Sequence, residues 1–273
     1  MHAIDGGLAV RALRPDAAAV NVIERCGAAA VYPATRMHAD GLFEAIIADR
    51  DVHFSYELEI EDYEGHTYRV RDPYSFWTQF STQDQYLFNE GTHHRAYEAL
   101  GAHPRWVDGT YGTYFAVWAP SAWRVSVVGD FNRWDGRLHA MRPLRSSGLW
   151  EIFAPEVGEG SIYKYEILSR EGDIMLKADP FAFAAEEPPR TASVIRSLAD
   201  FAWGDEEWMA AREERDWRAE PLAIYEVHLG SWRRTDALPL DYRELAHQLV
   251  AHVLELGFTH IELMPVAEHP FDG

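Results

Sequence analysis

Acidic and histidine side chains occur at several places in the chain with spacings that bear on metal chemistry. Glu226 and His228 stand two residues apart in the strand-like stretch 222–229, so their side chains share one face and form a conceivable zinc pair. No third ligand follows at a suitable spacing, and structural polar contacts are the favoured alternative. A second group mixes a loop with a short helix and fails similarly: His93, His94, Glu98 and His103. We therefore predict no metal site and no cofactor.

The charge of the chain limits its partners. Asp and Glu number 44 against 25 Lys and Arg, which gives a formal net charge of −19 over 273 residues. Such a surface repels phosphate backbones and anionic lipid headgroups, so neither a nucleic acid nor a membrane is expected as a partner. The partner should be neutral or cationic, while the oligomeric state stays open.

Cysteine usage and hydropathy indicate the compartment. Cys26 is the single cysteine and cannot form an internal disulfide, so it is interpreted as a buried, inert thiol without a role. No apolar stretch approaches the roughly 20 residues that cross a bilayer, and the start of the chain lacks a signal-peptide layout. These features predict a cytoplasmic protein.

An internal repeat organises the first two-thirds of the sequence. Four segments recur in the same order with similar spacing: Ala12–Ile23 with Val117–Val128, Gly41–Ile46 with Gly148–Phe153, Tyr56–Leu58 with Tyr165–Ile167, and Arg71–Phe76 with Ala178–Phe183. Four matches in register indicate two copies of one domain, near residues 5–80 and 110–195.

Apolar residues alternate with charged ones inside each copy. Tyr56, Leu58 and Ile60 are separated by glutamates, and Tyr163 and Tyr165 flank a lysine, a pattern typical of strands with one buried face. Short strands separated by Gly, Pro, Asn and Asp clusters predict two immunoglobulin-like β-sandwiches in tandem. The connecting segment is expected to hold a short helix near residues 94–100, and Tyr74 and Trp77 are predicted to pack in the first core.

The pattern changes after residue 200. Residues 200–218 are charged and Trp-rich, which predicts a helical linker. Two strand-like runs, 222–229 and 258–264, enclose a helical pattern that begins with a capping box at Asp241 and Glu244 and ends at Gly257. This order predicts a βαβ unit. One such unit cannot bury both faces of a parallel sheet, so we expect it to be the front part of something longer.

Several stretches resemble glycogen and starch branching enzymes of the α-amylase superfamily. The first barrel strand and the end of the second resemble Ile224–Trp232 and Glu262–Gly273, respectively. The segment between the two sandwiches of these enzymes resembles Phe88–Pro104. Phe115–Pro120 and Gly129–Trp134 resemble the family 48 carbohydrate-binding module, and the first copy resembles the extra N-terminal domain of many bacterial branching enzymes.

The resemblance implies a mainly β chain, with two tandem immunoglobulin-like β-sandwiches followed by the first βαβ unit of a truncated (α/β)8 barrel. The expected domains are an N-terminal sandwich with its connecting helix at 1–108, a family 48 module-like sandwich at 109–199, a linker at 200–221, and the start of the catalytic barrel at 222–273.

The implied reaction is retaining transglycosylation on α-1,4-glucan or glycogen, which cuts an α-1,4 linkage and forms an α-1,6 branch. Such a mechanism needs two carboxylates about 5 to 5.5 Å apart. In this superfamily the nucleophilic Asp and the acid/base Glu lie on later barrel strands, so they are expected beyond Gly273, and the chain alone should be inactive. Alternatives are a debranching or trehalose-releasing hydrolase, or a free-standing glucan-binding protein.

The resemblance also nominates binding residues. Trp134 and Lys164 match positions that contact glucan in related modules, Asn132 belongs to the same turn, and Trp150 offers a further aromatic surface. The stretch 172–179 lacks the second Trp of the binding modules, so a sandwich that only supports the barrel is the competing interpretation. Barrel geometry would place Glu268 and His269 at the active-site mouth, as substrate contacts or as a buttress for the loop.

Overall fold

A computed structural model describes residues 1–25, 30–48, 50–199 and 201–267. The chain divides into two compact units, residues 1–200 and 201–273. Three residues that the sequence brings to attention, Cys26, Glu268 and His269, lie outside the described residues.

The first sandwich comprises β1 His2–Ile4, β2 Gly7–Leu13, β3 Ala17–Glu24, β4 Val31–Pro33, β5 Thr35–His38, β6 Leu42–Ala48, β7 Tyr56–Asp62 and β8 Thr67–Arg71. Within the described residues these strands pair antiparallel into sheets of order β1-β2-β6-β5 and β4-β3-β7-β8. The predicted alternation is confirmed, because Tyr56, Leu58 and Ile60 are buried between the sheets while the intervening glutamates are partly exposed.

The second sandwich comprises β9 Gly101–Val107, β10 Thr110–Trp118, β11 Ala122–Gly129, β12 Arg142–Pro143, β13 Leu149–Pro155, β14 Ile162–Ser169, β15 Ile174–Lys177, β16 Ala184–Ala185 and β17 Ser193–Val194. Its sheets run β12-β13-β10-β9 and β11-β14-β17-β16, with β15 paired to β14. Phe115, Ile152, Tyr163 and Tyr165 are fully buried in the core between them. Strand β9 precedes the boundary expected at residue 108, yet it pairs with β10.

The two copies share their strand pairing, as the repeat predicts. β3 pairs with β7 in the first copy and β11 with β14 in the second, each with a bulge near the start of the earlier strand. The register corrects one of the four matches. Glu24 lies opposite Tyr56, and the equivalent Gly129 lies opposite Tyr163, so Tyr56 corresponds to Tyr163 rather than to Tyr165.

A buried tyrosine–aspartate pair recurs at equivalent positions. The Tyr56 hydroxyl donates to Asp72 Oδ2 at 2.5 Å, and the Tyr163 hydroxyl donates to Asp179 Oδ2 at 2.7 Å. In both copies Oδ1 of the aspartate accepts the amide two residues later, and in the second copy Tyr165 donates a further bond to Asp179 at 3.1 Å. Burial raises the pKa of both aspartates, against the lowering effect of these hydrogen bonds.

The connecting segment differs from its prediction. Its main helix, α1 Thr82–Glu90, lies upstream of the expected one, and residues 96–98 form a single 3-10 turn. Ser81 caps α1 by accepting the Asp84 amide at 3.0 Å, and Gly91 ends it with φ +81°. Phe76, Phe80 and Leu100 are buried against the β10–β13 sheet, so the segment packs on the second sandwich.

The prediction that Tyr74 and Trp77 pack in the first core is wrong. The Trp77 side chain is 71% exposed and stacks on His53 with ring centroids 6.0 Å apart. Tyr74 is 40% exposed, and its hydroxyl donates to the Ala140 carbonyl of the second sandwich at 2.7 Å. A pattern match places both residues beside a repeat core position, but Phe76 is the one that is buried.

The second unit contains α2 Glu206–Glu214, β18 Ile224–Val227, α3 Leu229–Trp232, β19 Arg234–Thr235, β20 Leu238–Pro239, α4 Tyr242–Glu255 and β21 His260–Leu263. β18 and β21 are parallel, which confirms the βαβ order. Asp241 caps α4 by accepting the Glu244 amide at 2.8 Å, and Leu245, Leu249 and Val253 form its buried face. None of the helices in the described part of the chain is long and apolar enough to cross a membrane.

Candidate functional site

The turn that follows β11 holds the nominated aromatic residue. Residues 130–132 form one 3-10 turn after Gly129, and the next two residues, Arg133 and Trp134, adopt left-handed backbone conformations with φ +54° and +61°. The Trp134 amide donates to the Gly129 carbonyl at 2.9 Å, which closes the turn. Positive φ is uncommon outside glycine and costs more for a bulky residue, so the surrounding contacts must hold this conformation.

One carboxylate orients the Trp134 ring. The indole Nε1 donates to Asp130 Oδ1 at 2.7 Å, and the side chain stays partly exposed. An indole whose N–H is already bonded keeps its ring faces available, and such faces can cover the apolar side of a sugar. The geometry thus provides one fixed aromatic surface at this end of β11.

Asn132 is not available for a ligand. It is 3% exposed, its Oδ1 accepts the Gly129 amide at 3.0 Å, and its Nδ2 donates to the Val127 carbonyl at 2.9 Å and to His139 Nδ1 at 3.0 Å. The nomination of Asn132 as a substrate-binding residue is corrected accordingly: its side chain fixes the loop from within. A buried amide requires hydrogen-bond partners of these kinds.

Trp150 is also not a binding surface. It lies on β13 with 8% of its side chain exposed, packs in the core of the second sandwich, and donates from Nε1 to the Ala119 carbonyl at 3.0 Å. In the alternating pattern of a strand, an aromatic residue on the inner face packs between the sheets. The nomination of Trp150 is therefore corrected to a core role.

Lys164 lies on the outer face of the β11–β14 pair. Its neighbours Tyr163 and Tyr165 are buried, and its Nζ donates to Thr191 Oγ1 at 2.7 Å. Lys164 is opposite Val128, one residue from the Gly129 carbonyl that accepts the Trp134 amide. The structure therefore brings Lys164 and the Trp134 backbone to the same end of one strand pair.

Three further residues at this face were not found from sequence. Asp130 lies within the recognised turn, so its role could have been inferred from its position four residues before Trp134. Thr191 is 27 residues from Lys164 and left no local signal. Leu176 on β15 lies opposite Glu166 on β14 and is 52% exposed. It provides an exposed apolar side chain within residues 172–179, the stretch that lacks the second Trp of the binding modules.

Three of the candidate metal-ligating histidines have other partners in the described residues. His93 Nε2 is 3.0 Å from Asp84 Oδ1, His103 Nε2 is 2.9 Å from the Leu100 carbonyl, and His228 Nδ1 is 2.8 Å from Ser231 Oγ. A separate exposed group in the β7–β8 turn brings ligand atoms of Asp62, Glu64 and His66 within 4.8 Å of one another. Asp62 Oδ1 there already accepts the amides of both other residues at 2.9 Å, which explains the cluster as turn stabilisation.

Two family models match separate parts of the chain. The model for the alpha-1,4-glucan branching enzyme GlgB, N-terminal domain, matches residues 1–74. The model for carbohydrate-binding module 48 (isoamylase N-terminal domain) matches residues 99–182. The resemblance of the first copy to the extra N-terminal domain and of the second copy to the family 48 module is thereby confirmed.

The chain is similar over nearly its whole length to bacterial 1,4-alpha-glucan branching enzymes GlgB. The relative from Rhodospirillum rubrum is 49% identical over 98% of this chain and 36% of its own length; that from Myxococcus xanthus is 49% identical over 100% and 38%. The chain thus spans little more than a third of these relatives. Among solved structures, a maltotriose complex of a Klebsiella pneumoniae pullulanase mutant is 20% identical over 94% of this chain and 32% of that one, with a TM-score of 0.46.

Proposed function

Since the chain belongs to the GlgB branching-enzyme family as its N-terminal portion, we propose that it works as the front part of an enzyme that cuts an α-1,4-glucan linkage and re-forms it as an α-1,6 branch in glycogen synthesis. The partner is α-1,4-glucan or glycogen, and the location is the cytoplasm. A neutral polymer suits a chain with a net charge of −19, because it meets no repulsion from the acidic surface.

Each region has its own part in this proposal. The first sandwich forms the N-terminal domain, and the connecting segment with α1 packs on the second sandwich, which begins by residue 101 because β9 at 101–107 pairs with β10. The family 48 module-like sandwich follows, then the linker at 200–221, and residues 222–273 open an (α/β)8 barrel. The parallel β18–β21 pair with α4 between them supports this last assignment, since βαβ is the repeating unit of such barrels.

The chemistry belongs to residues outside this chain. A retaining mechanism needs a nucleophilic Asp and an acid/base Glu held about 5 to 5.5 Å apart, and the family places them on later barrel strands, beyond Gly273. Glu268 and His269 are proposed to contact substrate at the barrel mouth. The chain tested alone on amylose should leave the iodine stain unchanged, and turnover clearly above a blank would refute this assignment.

The second sandwich contributes glucan binding at the end of β11. The observation that carries this proposal is Trp134, a bulky residue in a left-handed conformation whose indole is oriented by Asp130 and left partly exposed. Residues held in such strained backbone conformations cluster at active sites and ligand-binding sites. Lys164 and Leu176 on the adjoining outer face add a donor for sugar hydroxyls and an apolar contact.

Maltoheptaose titration tests this site. Trp134→Asn removes the ring while Asn tolerates positive φ, so the fold should persist. Loss of a central aromatic contact costs about 2 kcal/mol, or about thirtyfold in Kd.

The matched control is Trp123→Thr. Trp123 is 72% exposed near the start of β11, whereas Trp134 follows the end of that strand. Trp123 and Gly129 are six residues apart, which is roughly 20 Å along β11. Its substitution should leave the affinity unchanged. Equal affinity of the wild-type chain and Trp134→Asn would instead favour a sandwich that only supports the barrel.

A further inference from the structure

A polar cavity lies between the two sandwiches. Its volume is about 480 Å³, within the usual range of roughly 300 to 1,000 Å³ for small-molecule sites. The first sandwich contributes residues of the β2–β3 turn and of β8, and the second contributes the loop after β11 and the end of β13. The residues central to the argument are Arg14, Asp16, Arg71, Arg133, His139 and Glu156.

The charges of the cavity are balanced. Arg14 holds Asp16 through two hydrogen bonds, Nε to Oδ1 at 3.0 Å and Nη2 to Oδ2 at 2.7 Å, and the Tyr68 hydroxyl donates to the same carboxylate at 3.1 Å. Three arginines and three carboxylates line the space in all. An anion such as phosphate needs a clear excess of positive charge, and the chain as a whole is strongly acidic. The lining therefore suits a neutral ligand.

Several polar groups at the cavity remain without a protein partner. Within the described residues, Arg133 and Glu156 form no side-chain hydrogen bond or ion pair, and Nε of the 7% exposed Arg71 has no acceptor. His139 Nδ1 accepts a hydrogen bond from Asn132 Nδ2. Its Nε2 has no hydrogen-bond partner among the described residues. Donors and acceptors together, beside the aromatic rings of Tyr68 and Phe131, are the groups that recognise a hydroxylated ring with apolar faces.

We propose that this cavity between the sandwiches is a second glucan subsite, which binds the end of an α-glucan chain. A cavity encloses its ligand on more than one side, so it fits a chain end better than a passing strand. The choice of glucan among neutral polyhydroxyl compounds rests on the proposed function. The cavity is separate from the proposed glucan site formed by Trp134, Lys164 and Leu176, here called the outer-face site. Neither Trp134 nor Lys164 lines the cavity.

Amide chemical-shift mapping of the whole chain with maltoheptaose tests the proposal. We expect shifts in two separate groups, one around Lys164 at the outer face and one around Val70 and Leu138 at the cavity. Absence of shifts at the cavity in the wild-type chain would overturn the proposal without need of any variant.

The double variant with Arg133→Asn and Glu156→Asn removes the guanidinium and the carboxylate that have no protein partner at the cavity. Both residues have positive φ, +54° and +63°, which Asn tolerates. We expect affinity at the cavity to fall at least about tenfold while the shifts near Lys164 persist. Arg145→Asn is the matched control, since Arg145 also has positive φ, is exposed and lies outside the cavity lining; it should change neither group.

The outcomes separate the two proposals. Trp134→Asn should weaken the affinity measured from the shifts near Lys164 about thirtyfold and leave the shifts at the cavity unchanged. Shifts near Lys164 alone would sink the cavity subsite and leave the proposed function in place. Shifts at the cavity alone would do the reverse for the outer-face site. Unchanged cavity affinity in the Arg133 and Glu156 double variant would contradict the assignment of its ligand contacts.

Discussion

The duplicated tyrosine–aspartate pair allows two equivalent hydrogen bonds, Tyr56 to Asp72 and Tyr163 to Asp179, to be compared within one protein. Tyr56→Phe removes the hydroxyl that donates to Asp72 Oδ2, and no other donor reaches that oxygen within the described residues. Tyr163→Phe removes the equivalent hydroxyl, but Tyr165 still donates to Asp179 Oδ2 at 3.1 Å. The two substitutions delete the same atom at equivalent positions, so the difference between them measures the remaining donor.

The magnitudes follow from burial. Asp72 is 3% exposed, and a hydrogen bond to a charged buried group contributes about 1.5 to 3 kcal/mol. Tyr56→Phe should lower the free energy of unfolding by about 2 kcal/mol at pH 7. Tyr163→Phe should lower it by about 1 kcal/mol, because Asp179 keeps a donor on the same oxygen.

The pH dependence has a definite sign. Burial raises the folded-state pKa of Asp72, so the folded protein binds the proton more tightly than the unfolded chain, and stability falls as the pH rises from the unfolded-state pKa through the folded-state pKa. Loss of the Tyr56 hydroxyl raises the folded-state pKa further, because the hydroxyl stabilises the ionised form. The penalty of Tyr56→Phe should therefore be smaller at pH 4 than at pH 7.

Urea unfolding combined with amide hydrogen exchange measures these effects and assigns them to one sandwich. Tyr63→Phe is the control, because Tyr63 is 65% exposed in the first sandwich and its hydroxyl accepts only a solvent-exposed hydrogen bond from Arg36, so loss of that hydroxyl should cost no more than about 0.5 kcal/mol. If Tyr163→Phe costs as much as Tyr56→Phe, the Tyr165 hydroxyl does not compensate for the lost donor, and the proposed difference between the two aspartates is refuted.

Three further substitutions test other parts of the structure. Trp150→Phe should lower the free energy of unfolding by about 1 to 3 kcal/mol, since it removes the indole hydrogen bond to the Ala119 carbonyl and leaves a gap in the core of the second sandwich; urea denaturation checks this, and an unchanged midpoint would contradict the core assignment. Burial, with a smaller contribution from Arg14, lowers the pKa of His139 to about 4, so the free energy of unfolding should decrease as the pH falls from about 6.5 toward 4. His139→Gln should make this decrease smaller, which urea midpoints at pH 7 and pH 5 measure. Asp241→Ala should cost about 1 kcal/mol and speed amide exchange at the start of α4, whereas Asp241→Ser should preserve protection.

Much of the fold was predictable because its signals are local. Alternating apolar residues along β7 and β14 determine which face is buried, and Asp241 with Gly257 marks both ends of α4. The misaligned repeat has a physical cause. Tyr163 and Tyr165 both point into the core, so a tyrosine match alone cannot choose between registers that differ by two residues, and only the pairing with β11 decides.

The candidate site was less predictable, since exposure depends on tertiary packing. The same alternation that identifies β13 as a strand leaves open which of its residues cover the core, and Trp150 proved to be one of them. Ser81 and Asp84 carry a capping signature that could have located α1, although the helix is mostly polar and buries none of its residues. Thr191 lies beside Lys164 because the nearby strand β17 pairs with β14, a long-range contact without a local sequence signal.

The loop after β11 decides how the two proposed sites relate. Its outer part presents Trp134, its inner part presents Arg133 to the cavity, and Asn132 fixes the loop through hydrogen bonds to Gly129, Val127 and His139. Coupling between two sites requires an element with two arrangements that the ligands favour differently. A loop held in one arrangement by a buried amide provides none. Maltoheptaose should therefore bind the cavity with the same affinity in the wild-type chain and in Trp134→Asn, and a change of more than about threefold would show that the loop has a second conformation that Asn132 does not prevent.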